Sequence, residues 1–170
     1  VPFQLGQYHA RLRMTKEELR QEGREQEGGP EVKAGIRRQQ QQIARRRMMS
    51  EVPKASVVVT NPTHFSVALR YDPDQDAAPR VLAKGRGRVA LRIRELAAEH
   101  QIPMLEAPPL ARALYRHADL DALVPNALYR AVAEVLAYVF QMNEARAQGR
   151  SMPPTPTTFS VPPELDPGTA

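Results

Sequence analysis

The chain has 170 residues, 42% of them apolar, which allows one modest core together with non-globular ends. It contains no cysteine, so disulfide bonds and thiolate sites are excluded and a reducing compartment suits it. The formal net charge is +5, no apolar run is long enough to span a membrane, and the sequence has no signal peptide.

The amino-terminal part carries the whole of this charge. Up to Lys54 there are twelve Lys or Arg and seven Glu, whereas beyond it twelve basic and twelve acidic residues cancel. A basic arm can bind an anionic membrane surface, where each nearby Lys or Arg contributes about 1 kcal/mol at most. A solvated helix with i,i+4 charge pairs is equally compatible with the pattern. The chain begins at Val1 without Met, so we expect a fragment. A membrane domain before it would favour a cytoplasmic juxtamembrane linker.

Proline and glycine divide the chain into four predicted segments. Residues 1–29 are polar and charged, and we expect them to form a linker, which is juxtamembrane if a membrane domain precedes it. Residues 30–54 form a basic linker helix, which has Pro in its first turn and ends near Met49. Residues 55–148 form the core domain, and residues 149–170 are a Pro-rich tail that we expect to be disordered.

Within the core, short β-branched runs alternate with helical patterns. This order predicts a small α/β fold, with a central sheet of about four strands flanked by helices. The predicted strands are residues 55–60, 65–71, 80–85 and 102–105, and the predicted helices are residues 89–100, 110–117 and 126–147. The predicted core positions of the helices are Ala90, Ile93, Leu96, Ala97, Leu110, Leu114, Leu128, Val132, Val135, Leu136 and Val139.

The strongest chemical signal is Asn61-Pro62-Thr63-His64, between the first two predicted strands. Proline has no N–H, so the usual deamidation of an asparagine through the next backbone nitrogen is closed. The Asn61 side-chain nitrogen can instead attack its own main-chain carbonyl, which forms a succinimide and releases Pro62 as a new amino terminus. His64 can accept or relay a proton, and Thr63 can hydrogen-bond the carbonyl. This chemistry needs no metal or cofactor.

A simple connecting turn is the alternative interpretation of the same four residues, because Asn-Pro is a common turn dipeptide. The flanking strands give the cleavage hypothesis a distinct consequence. If the bond after Asn61 breaks, the strand ladder and the core can keep both fragments together.

The motif and its surroundings resemble the cytoplasmic domain of the FlhB/YscU family, the self-cleaving switch proteins of type III protein export. The main stretch is RRRMMSEVPKASVVVTNPTHFSVAL, residues 45–69. Further similar stretches are residues 14–18, 108–115 and 131–139. The amino-terminal stretch and the tail at residues 161–167 favour the flagellar branch.

The resemblance implies one intramolecular cleavage between Asn61 and Pro62, not an enzyme that acts on other molecules, and a switch in the export substrates that the apparatus accepts. It also implies a preceding membrane domain, so that this chain would be the cytoplasmic part of a bacterial inner-membrane protein. The implied partners are other membrane and cytoplasmic proteins of the export apparatus, a hook- or needle-length control protein, and export substrates.

Two other functional classes stay open. One is a non-cleaving interaction module of the export machinery, in which the turn is a recognition loop and the basic helix a tether. The other is a nucleic-acid binder, suggested by the high pI. The neutral core and the lack of aromatic residues beside the basic run count against it, so we expect no nucleic-acid partner.

Other candidate sites are weaker. Residues 85–88, Gly-Arg-Gly-Arg, could hold a phosphate at a helix start, but they lack the third glycine and the lysine of fuller phosphate-binding motifs. His9, His64, His100 and His117 have no partner at metal-ligand spacing, so we interpret them as surface residues and expect no metal site.

Overall fold

The computed structural model describes residues 16, 18–23, 25 and 28–166. The predictions for His9, for most of the linker before Gly28 and for the last four residues therefore lie outside the described residues. Contacts divide the chain into two compact units, Val1–Arg45 and Arg46–Ala170. The segment boundaries predicted after residues 29, 54 and 148 remain predictions.

A long helix, α1, spans Pro30–Glu51 and has no buried residue. Proline and an acidic residue open it as predicted, and it ends two residues beyond the predicted Met49. A 3₁₀ turn at Val52–Lys54 follows, and its proline prevents the helix from continuing. Ala55 closes this turn through an N–H bond to the Val52 oxygen, so the first strand starts after it and not at residue 55.

The second unit contains one mixed four-stranded sheet, with strand order β3-β2-β1-β4. The strands are β1 Val57–Asn61, β2 Phe65–Arg70, β3 Arg80–Arg86 and β4 Met104–Glu106. Strand β1 pairs antiparallel with β2 and parallel with β4, and β2 pairs antiparallel with β3. β4 starts two residues later than predicted, because Ile102 donates its N–H back to the Ala97 oxygen and still belongs to the preceding helix end.

Three helices flank the sheet, and the predicted α/β fold is confirmed. They are α2 Arg88–Glu99, α3 Pro108–His117 and α4 Tyr129–Ala147; a 3₁₀ turn at Asn126–Leu128 replaces the predicted first turn of α4. Successive strand residues face opposite sides. Val57 and Val59 therefore pack with α3 and α4, whereas Val58 and Ala68 pack with α2. All predicted helical core positions are buried except Leu96, which is half-buried.

Residues 151–166 contain neither helix nor strand, in keeping with their proline content, but they have packing partners on the core. Phe159, Val161 and Leu165 pack against the core cluster that includes α3 and α4. Arg112 forms an ion pair with Asp166 at 2.9 Å. A disordered tail, as predicted, would not make these packing contacts and this ion pair.

Among the described residues, no helix combines the length and the apolar character that crossing a membrane requires.

Candidate self-cleavage site

The candidate site is the tight turn that joins the two central strands. Asn61 is the last residue of β1 and pairs across the ladder with Phe65, the first residue of β2. The three residues between them, Pro62, Thr63 and His64, are exposed, whereas Asn61 is half-buried. The bond after Asn61 therefore joins a residue held in the sheet to a residue in solvent.

The Asn61 main-chain carbonyl, which is the electrophile in the proposed chemistry, accepts a hydrogen bond from the His64 backbone N–H at 3.0 Å. This bond closes the turn. It also places a donor on the oxygen that gains negative charge when a nucleophile attacks the carbonyl carbon. Sequence reasoning gave this task to Thr63 and missed the main-chain donor, because every non-proline residue carries an N–H and composition cannot single one out.

Thr63 has a different partner from the predicted carbonyl. Its Oγ1 lies 2.5 Å from His64 Nδ1. With the hydroxyl as donor, Nδ1 accepts and the imidazole proton lies on Nε2. The His64 ring also lies near the Phe65 ring, with centroids 6.1 Å apart. The Thr63 hydroxyl therefore contacts the imidazole, and the donor to the Asn61 oxygen is the His64 N–H.

The Asn61 side-chain amide is the nucleophile in the predicted cleavage, and no described residue hydrogen-bonds to it. The alternation of β1 places this side chain on the same face as Val57 and Val59. An amide without such a bond can rotate towards its own carbonyl carbon without first breaking a hydrogen bond to another described residue.

Two residues outside the motif hold the exposed part of the turn. Arg94, on α2, donates from Nη1 to the Pro62 carbonyl oxygen. Gly87 donates its N–H to the His64 oxygen at 3.0 Å. Gly87 has φ +56, a backbone conformation that favours glycine, and it precedes the first residue of α2. Because the Gly87 N–H already donates to the His64 oxygen, this N–H is not available to a phosphate. This counts further against a phosphate site at residues 85–88.

The strand after the scissile bond has its own anchor. The Phe65 ring lies against the Tyr115 ring of α3, with centroids 4.7 Å apart. Lys84 Nζ donates to the main-chain carbonyl oxygen of Tyr115 at 3.1 Å and to that of Ala118 at 2.6 Å. These bonds connect β3 to the carboxyl end of α3. The start of β2 therefore keeps its contacts without the covalent link to Asn61.

No group of three or more His, Cys, Asp or Glu side chains could hold a metal ion within the part of the chain that the structure describes. His64, His100 and His117 are all exposed, as predicted for surface histidines.

Sequence comparisons connect this arrangement to known proteins. The profile of the FlhB HrpN YscU SpaS family matches residues 1–139. The flagellar biosynthetic protein FlhB of Salmonella typhimurium is 55% identical over 98% of this chain and 43% of its own length. FlhB of Escherichia coli K12 is 54% identical over 98% of this chain and 44% of its own length. FlhB of Bacillus subtilis is 43% identical over 84% of this chain and 39% of its own length. The chain spans less than half the length of these curated relatives.

Solved structures share the fold. The crystal structure of the cytoplasmic domain of FlhB from Shewanella putrefaciens superposes with a TM-score of 0.67 and 47% identity, covering 72% of this chain and 95% of that one. A mutated EscU C-terminal domain superposes with a TM-score of 0.52 and 29% identity, covering 54% of this chain and 98% of that one.

Proposed function

This chain belongs to the FlhB HrpN YscU SpaS family, and from that membership we propose that it is the cytoplasmic part of a flagellar protein-export component that cleaves itself once, between Asn61 and Pro62. The main support for this cleavage is the geometry of the Asn61 main-chain carbonyl. This carbonyl is held at the end of β1, with the His64 backbone nitrogen 3.0 Å from its oxygen. The side-chain amide of the same residue has no hydrogen bond to any described residue.

The bonds that form and break in the cyclisation all belong to Asn61 and Pro62. The Asn61 Nδ2 atom bonds to the Asn61 main-chain carbon, and the bond from that carbon to the Pro62 nitrogen breaks. One amide proton moves to the Pro62 nitrogen, directly or through His64, and the first fragment ends in a succinimide that water then opens. The His64 N–H stabilises the oxyanion formed on the way.

The fold keeps both products. The first fragment retains β1, which pairs with β2 on one side and β4 on the other. The second fragment retains β2, anchored by Phe65 on Tyr115. Each molecule reacts once, because nucleophile and electrophile belong to the same residue and the succinimide consumes both. The chain is therefore no catalyst of other molecules.

Cleavage frees the turn at residues 62–64, which is exposed, and so changes one surface of the domain. We infer that this change alters which export substrates the apparatus accepts. The partners are then other membrane and cytoplasmic export proteins, a length-control protein and the substrates themselves, at the cytoplasmic side of a bacterial inner membrane. The FlhB names of the reported relatives support the flagellar assignment.

Intact-mass measurement of the purified, denatured chain tests the cleavage. We expect fragments 1–61 and 62–170 that co-elute until denatured, and one uncut species for Asn61→Ala. Asn126→Ala, which replaces an exposed asparagine that no proline follows, serves as the matched control and should cleave as the parent does. A full-length mass that persists through long incubation at neutral pH would contradict self-cleavage. It would favour the alternative function, a non-cleaving interaction module.

His64→Ala should slow this cleavage without abolishing it, because nucleophile and electrophile both belong to Asn61. A positioned proton-transfer group typically contributes roughly 10²–10⁴-fold to a rate. The time course of fragment appearance measures the effect. Cleavage at the parental rate would remove the proton-relay role from His64.

A further inference from the structure

The residue after the scissile bond can be held at only one main-chain atom. Proline has no N–H, so the carbonyl oxygen of Pro62 is its only hydrogen-bonding group. Arg94 donates to that oxygen across a sequence separation of 32 residues. A guanidinium that donates to a carbonyl forms a charge-assisted bond, which is stronger than one between neutral groups.

The other two held carbonyls of the turn accept from main-chain N–H groups. The His64 N–H holds the Asn61 oxygen, and the Gly87 N–H holds the His64 oxygen. Arg94 is thus the side chain that completes a set of three held carbonyls, those of Asn61, Pro62 and His64. Its donation fixes the peptide plane that follows Pro62, and with it the position of the Pro62 ring.

Arg94 approaches from the face where the reaction does not occur. It lies on α2, and α2 packs with Val58 and Ala68. The Asn61 side chain lies on the opposite face of the sheet by the alternation of β1. The guanidinium can therefore hold the leaving group without blocking the path of the attacking amide.

A neighbouring arginine shows that this contact is specific to one position. Arg92, two residues earlier on α2, forms ion pairs with Glu95 at 2.9 Å and with Glu99 at 3.6 Å. None of the described carboxylates forms an ion pair with Arg94, which is half-buried. The two side chains carry the same charge and lie on the same helix, but they bind different partners.

Building on the proposed self-cleavage, we propose that Arg94 is a positioning residue for that reaction. By holding the Pro62 carbonyl, it keeps the leaving nitrogen and the Asn61 carbonyl carbon in the geometry that the side-chain amide attacks. Small losses of such alignment slow reactions strongly. Arg94 touches neither of the two atoms between which the bond breaks.

The test compares cleavage time courses of the parent, Arg94→Ala, Arg94→Lys and the control Arg92→Ala, by intact mass after denaturation. We expect Arg94→Ala to slow cleavage by roughly tenfold to a hundredfold, as for loss of a charged hydrogen bond. Arg94→Lys should lie between Arg94→Ala and the parent, and Arg92→Ala should match the parent. A low, non-denaturing concentration of guanidinium should restore part of the Arg94→Ala rate, whereas sodium chloride at equal ionic strength should not.

Folding is checked separately, by thermal unfolding of each variant combined with Asn61→Ala so that every sample is uncut. An Arg94→Ala protein that cleaves at the parental rate overturns the positioning role and leaves the proposed function intact. Slow cleavage with a lowered unfolding temperature and no rescue by guanidinium or lysine also overturns it, since the residue would then act only on stability. If the parent itself stays uncut, the proposed function fails first.

Discussion

Strand β2 is connected at each end through an X-Pro bond, and the two connections are held in different ways. Before it, Asn61-Pro62 lies in a tight turn whose carbonyls accept from the His64 and Gly87 N–H groups and from Arg94. After it, Asp72-Pro73 lies in a longer loop organised by a carboxylate.

That carboxylate belongs to Asp76. It accepts from Arg70 Nε at 3.2 Å and Nη2 at 2.8 Å, and from the Asp72 N–H at 3.0 Å. The Asp72 side chain in turn accepts from the Asp74 N–H at 3.0 Å. Both side chains of the loop serve as acceptors that shape the backbone, which is the usual role of Asp in turns.

The comparison suggests a structural requirement for the proposed cleavage of an X-Pro bond. In the loop, the side chain before proline, Asp72, accepts a hydrogen bond from the Asp74 N–H. In the β1–β2 turn, side-chain and main-chain donors from elsewhere hold the backbone, and the Asn61 amide is left unengaged among the described residues. We therefore expect the proposed cleavage to need both a backbone held by other groups and an unengaged side-chain amide, which the dipeptide alone does not specify.

The largest expected difference lies between two Asn-Pro bonds in one protein, one cut and one uncut, and it tests this requirement directly. Asp72→Asn creates a second Asn-Pro bond in the same protein, and we expect no cut there at neutral pH, because the side chain at that position stays bound to the Asp74 N–H. Intact mass after denaturation checks it, with the cut after Asn61 as the internal positive control. Fragments ending at residue 72 would show that the dipeptide suffices.

A smaller effect is expected at Gly87, which supports the turn through its N–H. An added Cβ would meet no atom within 4 Å, so Gly87→Ala changes only the backbone preference at φ +56. Such a strained conformation costs about 1–3 kcal/mol, and we expect severalfold slower cleavage as the N–H shifts away from His64. Gly35→Ala, equally open but within α1, is the matched control and should leave the rate unchanged. Equal rates for Gly87→Ala and the parent would remove Gly87 from the support of the turn.

The smallest expected effect concerns the loop and pH. The hydrogen bond from Arg70 lowers the pKa of Asp76 below the ordinary carboxyl value. Its stabilisation is therefore complete above the unfolded carboxyl pKa and is lost as pH falls through the lower folded pKa. In the Asn61→Ala background, Asp76→Asn should lower the unfolding temperature by a few degrees at neutral pH, and this gap should narrow in acid.

Asp74→Asn is the control for this measurement, since Asp74 lies exposed on the same loop. Its unfolding temperature should keep a constant offset from the parent across the same pH range. A gap for Asp76→Asn that does not change with pH would show that the carboxylate charge is not what organises the loop.

Much of the fold could be predicted from residue patterns. The β-branched run before Asn61 and the apolar spacing of α2 to α4 placed the strands, the helices and the buried face of each helix. Errors lie at element ends, as at Ile102, where a hydrogen bond to Ala97 decides the boundary. The packing of Phe159, Val161 and Leu165 was not predicted, because a proline-rich segment has no periodicity to reveal a buried side.

For the candidate site, the sequence by itself determined the reacting groups, because nucleophile and electrophile both belong to Asn61 and the following proline closes the competing deamidation. Only the tertiary structure decided what holds those groups in place. Gly87, between β3 and α2, reaches the turn through its N–H, and Arg94 reaches it from α2 through its guanidinium. Donors of these kinds recur along the whole chain. Which of them faces a given carbonyl is fixed only when the helix packs on the sheet.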